Sequence, residues 1–562
     1  MDSMSPLATR HGPSLEVIAL GGLGEFGMNM LLIVYNDTAV LIDAGAMFPG
    51  PELPGVDLVI PDLEYLKERV GLLNAVVLTH GHEDHVGALP YIWPLLDGPV
   101  YGTPLTLALV EPKLIEHGFN PADHCTAMEP GTTAEIGELG LDFIRVTHSM
   151  PGCVAVALHT PAGTLVHTGD FKFDHTPLDG ETLDIHRFAD LGRTGVLALF
   201  ADSTNVGRPG FTGSELDVTT GLEEVFASTK GKVVVAAFSS SLHRIQIIAN
   251  LTAQFGRKLA FLGRGIIQNT QIAERLGYLR LPSGLQIRDS EIKDHDSKHL
   301  VCVTTGSQGE PLSALSRIAV DNHRHVTLEP HDTVVFSARA IPGNNRAIAT
   351  VMNHIVHRGA EVIDEERKPV HVSGHGSAEE LKLMLSLVKP RYFVPIHGEY
   401  RNLAEHAQMA TRVTGGRTTV LLAEDGDVIR LAPGKGRIDG RVDTGRTFID
   451  GIRSGSVDDD VLRHRRHLAT HGIVVPVIAI NRHENRVEGI PDVVTRGVSL
   501  DDRMGGLIDG MPERLTAVVR EANPDERCDR ALLTERVRIE LQRLFRKQAG
   551  RRPLVLPVIM EV

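Results

Sequence analysis

A chain of 562 residues exceeds what one hydrophobic core supports and predicts roughly three or four domains. With 42% hydrophobic and 23% charged residues it has the composition of an ordinary globular protein, which excludes a disordered or fibrous chain. A net charge of −14 excludes bulk positive charge as a way of holding nucleic acid, so a polyanionic substrate would have to be held locally.

In chain order, apolar runs at Leu15–Leu20, Ala39–Asp43, Ala75–Leu78, Leu141–Val146 and Leu165–Thr168 predict short strands between Gly-rich turns. Interspersed helical segments make residues 1–205 a layered α/β domain. Over 206–357 the units lengthen: Val233–Ala237 leads into a helix near His243, and Leu259–Leu262 into another near Ile267. That rhythm predicts a second α/β domain with parallel strands joined by crossover helices. Residues 358–450 return to strand-ending loops and a linker. Residues 451–562 form a small α+β domain: a strand at Gly472–Ile480, a helix over Asp529–Lys547, and a closing strand at Pro553–Ile559, which its two prolines confine to a sheet edge. Four scattered cysteines (Cys125, Cys153, Cys302, Cys528) argue against a disulfide framework and a thiolate metal site. No leader pattern and no run of about 18 apolar residues occurs, which predicts a soluble, cytoplasmic protein without a membrane partner.

The chemistry concentrates where strands end. His80-Gly81-His82-Glu83-Asp84-His85 directly follows a buried strand, and imidazole nitrogens and carboxylates at that density suit a divalent transition metal, zinc above all. His148, Asp170 and His397 each stand just past another apolar strand, beside small residues that allow close backbone approach. Seven donors exceed one tetrahedral ion but suit two ions that share a bridging carboxylate.

These residues resemble the ligand set of the metallo-β-lactamase fold. Thr79–Gly87, His167-Thr-Gly-Asp-Phe-Lys-Phe-Asp174, Asp202-Ser-Thr-Asn205, Thr305–Pro311, Ile341–Asn344, His371-Val-Ser-Gly-His375 and Pro395-Ile-His-Gly-Glu399 together resemble the β-CASP nucleases and, within them, the bacterial ribonuclease J family. The resemblance implies an αββα sandwich with an inserted β-CASP α/β domain and a small C-terminal α+β domain. It implies one zinc on His80, His82 and His148, a second on Asp84, His85 and His397, and Asp170 between them, with manganese as the alternative metal. It assigns Asp84, Asp202 and His375 to catalysis, His375 against the scissile phosphate.

The activity implied is 5′-to-3′ exonuclease and endonuclease cleavage of single-stranded RNA in mRNA decay and rRNA maturation, a hydroxide shared by two metals attacking phosphorus to leave a 5′-phosphate. A pocket for a 5′-monophosphate would use His371, Val372, Ser373, Gly374 and His375 near a helix start, with Ser240, Ser241 and Arg264. Homodimers or homotetramers and an RNA-degradation complex are the implied assemblies. The chain departs from the family at Ser239–Ser241, at Gly265-Ile266, and at Asn345, where the family carries Glu. Competing readings are a small-molecule hydrolase on the same dinuclear fold, a DNA nuclease, and an inert RNA-binding scaffold. The insert and His375 speak against the first, His397 against the second, and the full ligand set against the third.

Overall fold

The computed structural model describes residues 15–562 except 51, 72, 342, 452–456, 458, 482, 483, 485, 499–501, 524, 525, 528, 549 and 551. Cys528, and Pro342 of the Ile341–Asn344 motif, therefore lie outside the described residues. Two compact units result: one is built from the described residues up to Phe48 with Leu58–Thr447, the other from Pro49–Asp57 with Phe448–Val562.

Two sheets organise the first unit. The eight-stranded sheet runs, in spatial order, Lys435–Arg441, Asp427–Ala432, Leu15–Gly21, Met30–Tyr35, Thr38–Ile42, Ala75–Val77, Val100–Gly102 and Cys125–Ala127. The seven-stranded sheet runs Thr419–Val420, Tyr392–Ile396, Ala198–Asp202, Gly163–His167, Val154–Thr160, Leu139–Arg145 and Thr133–Ile136. Their inner faces share one core, in which Val17, Ile33, Val40 and Val77 of the first sheet meet Phe143, Val156, Phe200 and Val394 of the second. Such near-continuous apolar strands are what burial on both faces selects. Helices Ile185–Thr194, Ala378–Val388 and Tyr400–Thr414 pack on the outer face of the seven-stranded sheet, where Phe188, Leu385, Phe393 and Met409 join a second core. That core continues into the insert through Phe226, Leu242 and Ile245.

The inserted domain is an all-parallel sheet in the order Lys258–Leu262, Leu300–Thr304, Val233–Ala236, Thr333–Phe336 and Glu361–Ile363. Helices Leu242–Gln254 and Arg264–Arg275 start where expected. The sheet does not stop at residue 357. Helix Asn345–His357 is the crossover of a β-α-β unit, and its returning strand Glu361–Ile363 pairs with Thr333–Phe336.

The second unit surrounds the strand Ile473–Asn481. Helices Met511–Glu521 and Arg530–Gln548 cover one of its faces, packing Leu515, Val518, Val537, Leu541 and Phe545 on Val474 and Ile478. The expected closing strand is two, Leu554–Val555 and Val558–Glu561, both parallel to the central strand on one edge. Pro557 has no N–H for the ladder and breaks the run between them. Pro49–Asp57 joins this unit through bonds such as Asp57 N–H to Ile449 O, 2.8 Å, a long-range pairing that no local pattern announces.

Candidate metal centre

Directionality puts the donors together. Gly163–His167, Ala198–Asp202 and Tyr392–Ile396 are mutually parallel, and Leu139–Arg145 points the same way because it lies two antiparallel steps from Gly163–His167. Their C-terminal ends therefore deliver His148, Asp170, Asp202 and His397 to one edge of the sandwich. Opposite them, Ala75–Val77 runs parallel to Thr38–Ile42 and carries His80–His85, part of it in the short helix Glu83–Val86. His397 and Asp43 adopt left-handed backbone, φ 56° and 61°, a strained choice that turns each side chain back toward this edge.

Two donor groups form. His80, His82, His148 and Asp170 make the first; Asp84, His85, Asp170 and His397 make the second, so Asp170 belongs to both. In the first, His80 Nε2 lies 3.0 Å and His148 Nε2 3.2 Å from His82 Nδ1, and Asp170 Oδ2 lies 3.6 Å from His80 Nε2. In the second, Asp170 Oδ2 is 3.3 Å from His85 Nε2, Asp84 Oδ2 is 3.3 Å from His397 Nε2, and Asp170 Oδ1 is 3.6 Å from His397 Nε2. Metal–nitrogen bonds of about 2.0–2.1 Å give a tetrahedral edge of about 3.3 Å, so both groups are spaced as ligands around a cation. Lone pairs converging at these distances repel unless a positive charge sits between them. Donor chemistry and spacing thus fit a dinuclear site. A third combination, Asp170, Asp202, His375 and His397, also converges, but it borrows Asp170 and His397, and His375 Nδ1 is bound to Asp202 Oδ2 at 2.8 Å.

The protonation pattern splits along the same division. Burial depresses His80, His82 and His148 below the ordinary histidine range, His82 to about 4, keeping them neutral donors. Burial acts the same way on His85 and His397, but Asp170 and Asp84 outweigh it, and His397 is pushed up to about 9. Against burial, His397, His85 and His375 hold the Asp170 carboxyl well below the carboxylate range. Asp170 and Asp84 thus draw protons onto neighbouring imidazoles, charge that a metal ion would replace.

The distal nitrogen of four of the five donor imidazoles is held at 3.0 Å or less. His85 Nδ1 meets Asp43 Oδ2 at 2.7 Å, His80 Nδ1 meets Thr79 Oγ1 at 3.0 Å, His148 Nδ1 donates to Gly374 O at 2.7 Å, and His397 Nδ1 meets Thr204 Oγ1 at 2.8 Å. Such partners fix ring orientation and leave the other nitrogen for a metal. Asp43, Thr79 and Thr204 were in plain sight at strand ends or within motifs, but nothing in their spacing signals the role. Glu380 is a further residue beyond the reach of sequence pattern: fully buried, it accepts from the backbone N–H of Phe173 (2.7 Å), Thr212 (2.7 Å) and Ser377 (2.6 Å).

Asp202 and His375 join the metal residues, and the loop 371–375 lies against them. The helix start expected to help this loop bind phosphate is not free: in Ala378–Val388 the N–H groups of Ser377, Ala378 and Glu379 go to Glu380 Oε2, Arg208 O and Gly210 O. Ser373 Oγ accepts from Asn205 Nδ2 and His375 N–H, and Gly374 serves His148. Buried Arg244 anchors the loop, pairing with Glu215 at 2.8 Å and donating to Val370 O at 3.1 Å. Ser240 and Ser241 follow strand Val233–Ala236 and Arg264 follows Lys258–Leu262, at the C-terminal edge of the inserted sheet. Ser241 is the N-terminal residue before helix Leu242–Gln254, yet its hydroxyl makes no capping bond.

Comparison with known proteins places this architecture. Family models match residues 23–194 (metallo-beta-lactamase superfamily), 230–355 (ribonuclease J, beta-CASP domain), 361–422 (Zn-dependent metallo-hydrolase RNA specificity domain) and 460–562 (ribonuclease J C-terminal domain). Ribonuclease J2 of Bacillus subtilis is 37% identical over 98% of this chain and 100% of its own length. The chain belongs to the ribonuclease J family. Ribonuclease J of Thermus thermophilus is 39% identical over 98% of this chain and 96% of its own. In this ribonuclease J-type chain the αββα sandwich is the metallo-β-lactamase domain and the all-parallel insert is the β-CASP domain, as the motifs implied. A solved structure from Enterococcus faecalis V583, described as a protein of unknown function, shares the fold at 16% identity and a TM-score of 0.52, covering 75% of this chain and 100% of that one.

Proposed function

We propose that this member of the ribonuclease J family, a hydrolase of the ribonuclease class, cleaves single-stranded RNA at a dizinc centre, both internally and stepwise from a 5′-monophosphate end. Manganese is the alternative metal. The carrying observation is Asp170: one carboxylate faces His80 and His85 at 3.6 and 3.3 Å through one oxygen and His397 at 3.6 Å through the other. Three nitrogens and one oxygen in the first group favour zinc. Two bound ions would supply an activated water and neutralise charge on a phosphate.

The chain's own residues supply the rest. Asp84, 34% exposed, is with His82 one of the two partly accessible members of the ligand set and is placed to receive a proton from water; His85 and His397 hold its carboxyl far below the usual range against burial, so it stays ionised. Asp202 accepts a hydrogen bond from the Nδ1–H of His375, which is 20% exposed, leaving Nε2 to meet phosphate or the leaving 3′-oxygen. Asp202, Asp170 and hydrogen bonding raise the His375 pKa against burial, which favours its acid role.

For the 5′ end, His371 supports a phosphate reading: its buried Nδ1 has no partner among the described residues, and burial with Arg244 and Arg339 nearby keeps it neutral. Val372, Ser373, Ser240, Ser241 and Arg264 complete the proposed track, the last three at the C-terminal edge of the inserted sheet. Roles in mRNA decay and rRNA maturation and a place in an RNA-degradation complex follow from the same family reading. For self-association into dimers or tetramers, the second unit offers Val494, Val558 and Met560, 40–45% exposed on its sheet.

No helix among the described residues is long and apolar enough to cross a membrane. The test is one RNA carrying 5′-monophosphate, 5′-triphosphate or 5′-hydroxyl, incubated with and without chelator. Mononucleotides should come preferentially from the first, with internal cuts in all three and all cleavage lost on chelation. Chelator-resistant cleavage would remove the metal mechanism, and equal mononucleotide release from the three ends would remove the 5′-phosphate preference.

A further inference from the structure

The turn Asp202–Asn205 lies between His375 and the second donor group. Asp202 Oδ2 holds His375 Nδ1 at 2.8 Å, while Asp202 Oδ1 accepts from Thr204 Oγ1 at 2.7 Å and from Thr204 N–H at 2.9 Å. Thr204 Oγ1 also lies 2.8 Å from His397 Nδ1, and Asn205 Nδ2 donates to Ser373 Oγ and to His375 O, each at 2.9 Å. Ser203 and Asn402 clamp the turn from behind: Ser203 Oγ meets His406 Nδ1 at 2.9 Å, and Asn402 Nδ2 donates to Thr204 O at 3.2 Å.

We infer that Thr204 is a positioning residue that fixes the tautomer and ring orientation of His397, joining the second metal group to the carboxylate that holds His375. The direction of each bond is forced. An ionised carboxylate only accepts, and a threonine hydroxyl has a single proton to give. At 2.7 Å that proton goes to Asp202, so the hydroxyl oxygen must accept, and His397 Nδ1 is the donor. A neutral imidazole with its proton on Nδ1 has a lone pair on Nε2, the nitrogen that faces Asp84 and Asp170 at 3.3 and 3.6 Å. Thr79 stands in the same relation to the first group: its hydroxyl lies 2.9 Å from Asp43 Oδ2 and 3.0 Å from His80 Nδ1, and Asp43 holds His85 directly. Asp43 and Asp202 thus each grip one imidazole directly, His85 and His375, and a second through a threonine, His80 and His397.

The inference rests on the two-ion reading, and zinc titration against a competing chromophoric chelator separates the two. Wild-type protein should bind two ions; fewer than two would overturn the dinuclear reading itself. Thr204→Val keeps the shape and removes the hydroxyl, stranding His397 Nδ1–H against a methyl group. It should weaken one ion by about 10- to 100-fold and leave the other at wild-type affinity. Thr204→Ser keeps the hydroxyl and should bind both ions within about threefold of wild type, a rescue that lost methyl packing would not give. Thr204→Ala carries the same expectation as Thr204→Val should the latter not fold. Two ions held at wild-type affinity in the hydroxyl-free variants, or a loss in Thr204→Ser as large as theirs, would overturn the role.

Discussion

Gly374 owes its identity to His148. A methyl group at its α-carbon would lie 2.6 Å from both Cε1 and Nδ1 of that ring, closer than any real contact, while its carbonyl accepts the ring's N–H. Gly374→Ala should push the ring off its bearing and weaken the ion of the first group by tenfold or more, about the loss typical of a disturbed ligand orientation. Metal stoichiometry by elemental analysis checks this, with circular dichroism confirming an intact fold. Full metal occupancy in the variant would show that His148 is not a ligand or that the loop yields freely. At this scale sequence reasoning singled out the seven residues that the structure gathers into the two donor groups, because each stands beside a strand end with its chemistry exposed in its type. It read Gly374 as a phosphate contact, since a glycine's neighbour across 226 positions is invisible in the chain.

Elements reach the site through their ends, and Glu380 binds three of those ends together. One carboxylate takes N–H groups from the segment after Asp170, the turn at Thr212 and the first turn of helix Ala378–Val388. Glutamine has one accepting oxygen and one donating nitrogen, so in either orientation Glu380→Gln turns a donor on a donor. The variant should lose about 1–3 kcal/mol of stability, measured by urea unfolding, the cost of a buried amide left unpaired. An unchanged midpoint would mean that the three segments are held by other contacts. Strand and helix positions were legible because periodicity and glycine-rich turns are local signals. The break at Pro557 was not anticipated, although the missing N–H explains it, and the fifth strand of the insert was missed because Glu361–Ile363 is too short to announce itself.

For the whole molecule, the histidines set a pH window. His406 and His167, buried and neutral, have pKa values of about 3 and about 4, and His80, His82, His148 and His371 are likewise depressed. For these the unfolded chain binds protons first, so stability falls as pH drops below the unfolded value of about 6.5. His85, His375 and His397 are raised, His397 to about 9, so their contribution is present below about 6.5 and is lost as pH climbs through the folded values. Metal-free protein should therefore be most stable near pH 6.5 by denaturant titration, about where the two sets cross. Zinc should extend that plateau upward by taking the place of the protons on His85 and His397. A metal-free curve that stays flat between pH 6.5 and 9 would contradict the raised set. By itself the sequence determined the candidate donor residues, the strand ends that carry them, the parallel insert and the family, because these are written in local pattern and in motifs that survive in linear order. Only the tertiary structure decided that Asp43, Thr79 and Thr204 hold donor imidazoles, that Glu380 ties three backbone segments together, and that the helix start at Ser377 is already satisfied. Those facts are distances between segments up to hundreds of residues apart, and hydrogen bonds form across space, which the order of residues along a chain does not encode.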